Sequence, residues 1–426
     1  MQRTTRTLGE ICDEVGGTIR TGPFGSQLHE SDYVRDGTPV VMPKNIIDGK
    51  VSVEDIALIG EVDVARLSQH KLHKGDIVYG RRGDIGRRAL ITEKEDGWIC
   101  GTGCLRISLG KTVLAPKFLY YYLGQPDIIA WIFNQAIGAT MPNLNTAIIR
   151  NISISYPLLP TQYKTTAILS AYDDLIENNA RRIAILEEMA QALYREWFVH
   201  FRFPGHEKKR MVESALGMIP DGWKVMKLGD VVELAYGKAL KADTRVAEKV
   251  PVYGSGGIVG YHNEGFVTGP GIIVGRKGNV GSVFWSDYDF FPIDTVYYVR
   301  SKISLYYLYY NLRAQNFINN DAAVPGLNRN QAYSLPFLLP SIEILTKFQD
   351  LVSQFFKQTK TLTERNINLR RTRDLLLLKL ISREVDVEGL DIETGEGLTE
   401  AAASIEEDVK KSAEAALAGE QMMLWG

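Results

Sequence analysis

Several features of secreted and membrane proteins are missing from this 426-residue chain. Its only cysteines are Cys12, Cys100 and Cys104, and a small odd number in a long chain does not predict a disulfide framework. No run of about 18 apolar residues predicts a membrane span. The first residues also lack the apolar stretch of a secretory signal. The sequence therefore predicts a protein of the reducing cytoplasm.

Common catalytic and cofactor motifs are missing as well. The six histidines form no metalloprotease pattern, and we find no Walker motif, dinucleotide-binding glycine motif, helicase motif or NPPY-type motif of amino-methyltransferases. Cys100 and Cys104 are too few for a zinc site by themselves, and buried thiols are the favoured interpretation. The sequence predicts no catalytic residue, metal site or cofactor in this chain.

The formal net charge of −2 conceals an uneven distribution. Residues 384–426 contain 12 acidic and 2 basic residues, whereas residues 1–383 contain 47 basic and 39 acidic residues. A mildly basic body with an acidic tail permits nucleic-acid binding without establishing it. An unremarkable protein surface is the alternative interpretation.

An internal repeat organises the chain, because five short motifs occur twice in the same order. The pairs are LGEI at 8–11 and LGDV at 228–231, GRRGDIG at 80–86 and GRKGNVG at 275–281, FLYYYL at 118–123 and YLYYNL at 307–312, PNLN at 142–145 and PGLN at 325–328, and YPLLP at 156–160 and PFLLP at 336–340. Between them, β-branched and aromatic residues alternate with glycine, which predicts short strands, and the tyrosine-rich motifs predict helices. Each half is therefore expected to be an α+β module.

A long helix with a heptad pattern is predicted after each module, starting at the N-cap candidates Thr161 and Ser341. Asn179 and Asn366 fall at equivalent seam positions, where a polar residue can fix register, or can simply be partly exposed. The polar segment between the first helix and the second module predicts a linker. The seam residues expected to form the coiled coil and dock partners are Ile176, Asn179, Ile183, Leu186, Leu193, Leu362, Asn366, Leu369 and Leu376.

Candidate DNA contacts lie in the repeated motifs. The glycine-flanked cations Arg81, Arg82, Arg276 and Lys277 can meet phosphates or guanine edges, although a glycine hairpin with solvated cations is equally compatible. Asparagines of the PNLN and PGLN motifs suit adenine recognition, but turn capping is their commoner use. These asparagines and the further candidate phosphate contacts are Asn143, Asn145, Asn328, Arg87, Arg88, Lys238, Lys241, Arg245 and Arg329.

Together these features resemble one family, the specificity subunits (HsdS) of Type I restriction–modification systems. Residues 158–205 resemble the central conserved region of that family, and residues 219–234 resemble the start of its second target recognition domain. Residues 21–28, 33–46, 251–261 and 272–285 are also typical of such domains. The resemblance covers about residues 1–385 and leaves the acidic tail unassigned.

The resemblance implies an α+β fold with two target recognition domains in a pseudo-two-fold repeat, separated by two long antiparallel coiled-coil helices. The expected segments are recognition domains at 1–160 and 221–340, a central helix at 161–200, a linker at 201–220, a distal helix at 341–385 and an acidic tail at 386–426.

The resemblance also implies that this chain is not an enzyme. Each domain would recognise one half of a bipartite site in double-stranded DNA, and the helices would set the spacer. Two modification subunits would methylate adenine with S-adenosylmethionine, and restriction subunits would use ATP and Mg²⁺. The alternatives are an unrecognised DNA-modifying enzyme and a coiled-coil scaffold that does not bind DNA.

Overall fold

Short strands and helices followed by one long helix occur twice along the chain. The computed structural model describes residues 4–82, 85–110, 113–136, 144–246, 248–317, 326–382 and 384–394. Unit 1 consists of the described residues within Met1–Leu175 and Leu369–Gly426, and unit 2 of those within Ile176–Asn368. In this part of the chain, no helix combines the length and the apolar composition that crossing a membrane requires.

The described residues form nine α-helices, and the two longest extend from one unit into the other. In chain order the helices are α1 Leu8–Val15, α2 Glu61–Arg66, α3 Pro116–Tyr122, α4 Pro126–Gln135, α5 Thr146–Arg150, α6 Leu159–Tyr194, α7 Leu305–Ala314, α8 Arg329–Ser334 and α9 Ile342–Ser382. A π-helical turn, Arg195–Val199, directly continues α6.

The strands are short. Those of unit 1 are β1 Thr4–Thr7, β2 Thr18–Thr21, β3 Tyr33–Val34, β4 Thr38–Val41, β5 Ile46–Ile47, β6 Lys50–Val51, β7 Ala57–Ile59, β8 Ile77–Gly80, β9 Arg88–Leu90, β10 Ile99–Cys100, β11 Cys104–Ser108 and β12 Ser153–Tyr156. Those of unit 2 are β13 Met211–Ser214, β14 Gly217–Pro220, β15 Lys224–Lys227, β16 Glu233–Tyr236, β17 Val250–Gly254, β18 Gly257–His262, β19 Gly271–Gly275, β20 Val283–Ser286, β21 Phe291–Pro292, β22 Val296–Arg300 and β23 Pro336–Leu339.

The centre of unit 1 is an antiparallel sheet in the order β2-β11-β8-β9. Alternate side chains of a strand face opposite sides. Ile77 and Tyr79 accordingly pack in the cluster that contains Leu8 of α1, while Val78 packs with Val41 of a second sheet, β10-β4-β7-β3. Both faces of β8 are therefore buried, which explains its continuous apolar sequence.

Unit 2 repeats this plan with the sheet β16-β22-β19-β20. Ile272 and Val274 pack in the cluster that contains Tyr307 of α7, whereas Ile273 packs with Tyr253 of the sheet β18-β17-β21. Each unit also has a separate antiparallel pair, β1 with β12 and β15 with β23. The predicted α+β fold and its duplication are confirmed.

In unit 2, α6 and α9 pair in antiparallel directions. Asn179 Nδ2 donates to Asn366 Oδ1 at 2.9 Å, and Asn366 Nδ2 donates to the carbonyl oxygen of Ile176 at 3.1 Å. Further along α6, the ring of Tyr194 meets that of Phe348, which is earlier in α9. The two asparagines thus both lie in the seam, as the heptad alignment predicts, and they face each other there.

In unit 1, the remaining parts of the same helices pair in the same sense. Arg373 donates to Asp173 at 2.5 Å, and Leu169 shares a core cluster with Leu377 and Leu380. The antiparallel pairing that the family resemblance implies is therefore present in both units. Of the predicted seam residues, Ile176, Leu362 and Asn366 are buried, and Asn179, Ile183, Leu186, Leu193, Leu369 and Leu376 are half-buried.

Two local predictions need correction. Helix α6 begins at Leu159, so Thr161 lies inside its first turn and is not its N-cap; Pro160 fits there because the first-turn amides need no intrahelical partner. The predicted linker contains the hairpin of β13 and β14. The linker also supplies Phe203 to the core of unit 2, where its ring stacks on that of Trp223 at 5.3 Å. The linker was predicted from the polar composition of the segment as a whole, which does not reveal single core residues.

Candidate nucleic-acid interface

In unit 1, two of the repeated motifs meet at one place. The GRRGDIG motif joins β8 to β9. The carbonyl oxygen of its Arg81 accepts a hydrogen bond of 3.0 Å from the amide of Leu144, which belongs to the PNLN motif. Arg81 Nε donates to the carbonyl oxygen of Leu144 at 2.7 Å, and the Arg81 amide donates to Gly103 at 2.8 Å. Burial and the neighbouring Arg82 lower the pKa of Arg81. We call this contact of Arg81 with Leu144 the unit 1 junction.

Unit 2 has a corresponding junction, formed by Arg276 and Leu327. The amide of Leu327 donates to the carbonyl oxygen of Arg276 at 2.8 Å, and the Arg276 amide donates to Thr295 at 2.9 Å. The GRKGNVG motif joins β19 to β20, just as GRRGDIG joins β8 to β9. GRRGDIG and PNLN recur as GRKGNVG and PGLN because each pair builds the same backbone contact.

The backbone conformation of these loops explains why they contain glycine. Gly86 and its counterpart Gly281 have φ values of 106° and 75°, in the region that favours glycine. A Cβ atom on Gly275 would lie 2.1 Å from the carbonyl oxygen of Asn279. The loop of unit 2 is therefore a glycine-rich hairpin, which was one of the two interpretations of the motif.

Each junction is followed by an asparagine that caps a short helix. Asn145 Oδ1 accepts from the amide of Ile148 at 2.9 Å, and Asn328 Oδ1 accepts from the amides of Asn330 and Gln331 at 2.9 and 3.3 Å. Pairing with adenine through two hydrogen bonds would use the same Oδ1 atoms. These contacts favour the turn-capping interpretation. The third candidate, Asn143, lies outside the described residues.

An exposed tyrosine with two arginines distinguishes unit 2. The guanidinium carbons of Arg276 and Arg329 each lie 5.0 Å from the ring centre of Tyr236, the last residue of β16. Arg276 also lies 5.8 Å from the ring of Tyr297 and donates to the carbonyl oxygen of Asp294 at 2.9 Å. Tyr236, Arg276 and Arg329 are called the arginine–tyrosine cluster below.

Tyr297 supports this cluster from beneath the surface. Its ring centre lies 5.1 Å from that of Tyr236, and its hydroxyl donates to the carbonyl oxygen of Leu327 at 3.3 Å. Burial and the hydrogen bond with Tyr236 raise the pKa of Tyr297 to about 12. Tyr297 therefore stays neutral near neutral pH and connects the junction to Tyr236.

The other candidate cations occupy different environments. Arg88 points inward: its guanidinium donates to the carbonyl oxygens of Tyr120 and Gly86 at 2.7 and 3.1 Å, and burial lowers its pKa. Arg245 donates to the carbonyl oxygen of Val259 at 2.6 Å. These two side chains brace the fold. The candidates that are exposed at the surface are Arg82, Arg87, Lys238, Lys241 and Lys277.

The three cysteine thiols are buried and free, as predicted. Burial raises the pKa of Cys12 to about 11 and that of Cys100 to about 12, and it also raises the pKa of Cys104. No group of three or more His, Cys, Asp or Glu side chains within the described residues could hold a metal ion.

Sequence reasoning missed Tyr236. It is a single aromatic residue at a strand end, and Arg329 lies far from it in the sequence. Only the register of β16 against β22, which pairs Tyr236 with Tyr297, brings the ring to the junction.

Comparison with known proteins defines the class. The family model for the Type I restriction modification DNA specificity domain matches residues 4–188 and 220–371. These regions make up more than half of the chain, and the chain belongs to this family.

Individual proteins similar to this chain are named as members of the same class. The chain is 24% identical over 370 residues to the Type I restriction enzyme MjaIX specificity subunit of Methanocaldococcus jannaschii, covering 78% of this chain and 82% of that protein. It is 21% identical over 417 residues to the HindI specificity subunit of Haemophilus influenzae, covering 76% and 89%. The crystal structure of a Type I S subunit from M. genitalium has a TM-score of 0.54 at 18% identity, covering 89% of this chain and 96% of that one, which supports the fold.

Proposed function

We propose that this chain selects the DNA sequence for a Type I restriction–modification complex, with each unit recognising one half of a bipartite site. The observation that carries the proposal is the duplicated junction, in which a cation-bearing glycine loop is fixed by backbone hydrogen bonds to a capped helix. Two equivalent loops on two equivalent modules suit a target that is itself divided into two halves.

The charges of these loops support DNA as the ligand. Arg82 and Lys277 are exposed at corresponding positions after the first loop glycine. Lysine and arginine side chains at such positions neutralise phosphates, and arginine also pairs with guanine in the major groove. The exposed Lys238 and Lys241 add positive charge to the loop that follows β16.

Exposed apolar residues on the long helices support docking of two methyltransferase subunits. Soluble proteins seldom expose a series of large apolar side chains without a binding partner. In unit 1 these residues are Leu175, Leu375 and Leu378, and in unit 2 they are Ile185, Met189, Leu351 and Ile367. Each unit thus offers apolar helix surface to one partner subunit.

The helices are also proposed to set the spacer between the half-sites. Helix α6 has 36 residues, which corresponds to about 54 Å at about 1.5 Å per residue. Half-sites one DNA turn apart are separated by about 34 Å. A helix of this length is sufficient to bridge that distance.

The chemistry is assigned to the partners. We propose that this chain is non-catalytic and binds no cofactor, that the modification subunits use S-adenosylmethionine to methylate adenine, and that restriction subunits use ATP and Mg²⁺. The motifs missing from the sequence are those that such chemistry requires.

Methylome sequencing tests the proposal. Cells that express the chain with its modification subunits should contain one bipartite motif with methylated adenine in both halves, and deletion of this gene should remove the methylation. Replacing residues 1–155 with those of another family member should change one half only. Methylation without sequence preference, or a simultaneous change in both halves, would overturn the proposal.

A further inference from the structure

The two junctions differ at one position that matters for recognition. Gly80 pairs with Cys104 and Gly275 with Val296, which aligns the central sheets. In this alignment Tyr236 of unit 2 corresponds to Thr21 of unit 1, since they pair with the next residues, Tyr297 and Leu105. Unit 2 therefore has an aromatic ring where unit 1 has a small hydroxyl side chain.

The two junctions also differ in the number and contacts of their arginines. Asn145 and Asn328 are equivalent caps, so Thr146 of unit 1 corresponds to Arg329 of unit 2. In unit 1 the side chain of Arg81 is bonded to the carbonyl oxygen of Leu144. In unit 2 two guanidiniums instead lie against the Tyr236 ring.

The guanidiniums of the arginine–tyrosine cluster have no carboxylate partner within salt-bridge distance among the described residues. Arg276 uses one nitrogen for the carbonyl oxygen of Asp294, and Arg329 makes ring contacts with Tyr236 and Tyr333. Tyr236 itself is 49% exposed. Two positive charges held on an exposed ring, with hydrogen-bond donors still available, are suited to an anionic or acceptor-rich ligand.

A ring that holds a guanidinium also fixes its plane before binding. Arginine side chains otherwise lose rotamer freedom when they bind, so a pre-positioned guanidinium binds with a smaller entropy cost. The planar donor pair of arginine matches O6 and N7 of guanine, which is the commonest specific contact in the major groove. A phosphate can accept the same donor pair, but a phosphate contact carries no base preference, so a preference for one G·C pair distinguishes the two.

We infer that the arginine–tyrosine cluster recognises a guanine in the half-site of unit 2, with Arg329 as the base-contacting residue and Tyr236 as the residue that positions it. This inference rests on the proposed function and adds a base preference to one unit. Among the described residues of unit 1, the junction has no such cluster, so this guanine contact belongs to the half-site of unit 2.

The test is methylome sequencing of the complete complex with variants of the cluster. The half-site of unit 2 is the one that stays unchanged when residues 1–155 are exchanged. Arg329→Ala should reduce the preference for one G·C pair in that half by about tenfold or more and leave all other positions intact. Arg329→Lys keeps the charge but replaces the planar donor pair with a single ammonium, so it should weaken the same preference less than Arg329→Ala does.

Tyr236 is tested by two substitutions with opposite expectations. Tyr236→Phe keeps the ring and should keep the G·C preference, whereas Tyr236→Leu should relax the same pair as Arg329→Ala. Arg313→Ala is the matched control, because Arg313 also lies over a tyrosine of unit 2, at 5.4 Å from Tyr309, but on α7. The control should leave the motif unchanged.

The outcomes separate the inference from the proposed function. A wild-type complex that methylates no bipartite motif would contradict the proposed function. A bipartite motif whose unit 2 half keeps full G·C discrimination in the folded Arg329→Ala variant would overturn the inference alone. A unit 2 half without any G·C pair would overturn it as well.

Discussion

Asn179 and Asn366, 187 residues apart in the chain, meet in the seam between α6 and α9, where Asn179 Nδ2 donates a hydrogen bond of 2.9 Å to Asn366 Oδ1. Asn366 is 4% exposed and also donates to the carbonyl oxygen of Ile176. Polar seam residues fix helix register at some cost in stability. This pair is therefore expected to specify which residues of α6 and α9 face each other.

The first prediction concerns this pair. Asn366→Leu should lower the free energy of unfolding by about 1–3 kcal/mol, because it leaves the Asn179 amide facing an apolar side chain. Replacing both asparagines with leucine should recover most of that loss, since no polar group is then left unpaired. Urea unfolding measures both values. The exposed Asn368→Leu is the control and should change stability by less than about 0.5 kcal/mol.

A second prediction concerns the charged contact between the helices of unit 1. Asp173 accepts from Arg373 and from the Tyr121 hydroxyl, each at 2.5 Å, and burial together with this hydrogen bond raises the pKa of Tyr121. Asp173→Ala should lower the free energy of unfolding by about 1–3 kcal/mol, because it removes the acceptor from two partly buried donors. The neighbouring exposed Asp174→Ala should have little effect. Equal unfolding midpoints for the two variants would contradict the assignment.

A third prediction concerns the thiols at alkaline pH. Folded-state pKa values of about 11 for Cys12 and about 12 for Cys100 exceed the unfolded value of about 8.5. Their contribution to stability is thus complete below pH of about 8.5 and is lost as pH rises towards the folded values. Urea unfolding should show stability falling from pH 8 to pH 10. Ellman's reagent at pH 8 should label the three thiols only after denaturation, and rapid labelling of the folded protein would contradict their burial.

The loop cations give a fourth prediction. Arg82→Ala and Lys277→Ala should each weaken DNA binding by the complex for all sequences and reduce the slope of log affinity against log salt by about one. Fluorescence anisotropy at several salt concentrations measures that slope. The exposed Lys94→Ala and Lys249→Ala, outside the loops, remove the same charge and serve as controls. An equal effect of all four substitutions would indicate a general charge effect.

The last prediction concerns the spacer. Four residues inserted in both long helices, between 175 and 176 and between 368 and 369, add about 6 Å of rise and a rotation of about 40° beyond a full turn. One base pair adds about 3.4 Å and about 34°. Because orientation in the groove is harder to absorb than a small translation, the spacer should lengthen by one base pair, with unchanged half-sites. An active variant with the original spacer would show that the helices do not set it.

Patterns with a short period or an ordered repetition were sufficient to predict much of the fold. Heptads placed Asn179 and Asn366 at equivalent seam positions because a seam residue is determined by its position in the period. The antiparallel pairing that brings them together was implied by the family resemblance. The alternation of Ile77, Val78 and Tyr79 was less informative, since both faces of β8 are buried and its sequence is uniformly apolar. The duplicated motifs still identified two equivalent modules.

The parts that sequence reasoning missed depend on contacts between distant residues. Tyr236 reaches Arg329 only through the pairing of β16 with β22 and the junction of Arg276 with Leu327. The start of α6 was misplaced because Thr161 is a favourable N-cap residue, whereas the helix begins at Leu159 and proline is well tolerated in its first turn. Neither result can be read from local composition.

The junctions bind their loops through main-chain atoms. Because the amides of Leu144 and Leu327 donate to the carbonyl oxygens of Arg81 and Arg276, the loop path does not depend on the side chains carried by the next residues, Arg82 and Lys277. New side chains at these two positions should leave the fold intact while changing how tightly the surface holds DNA. The scaffold can therefore vary its affinity for DNA by exchanging surface residues, without any change in the backbone.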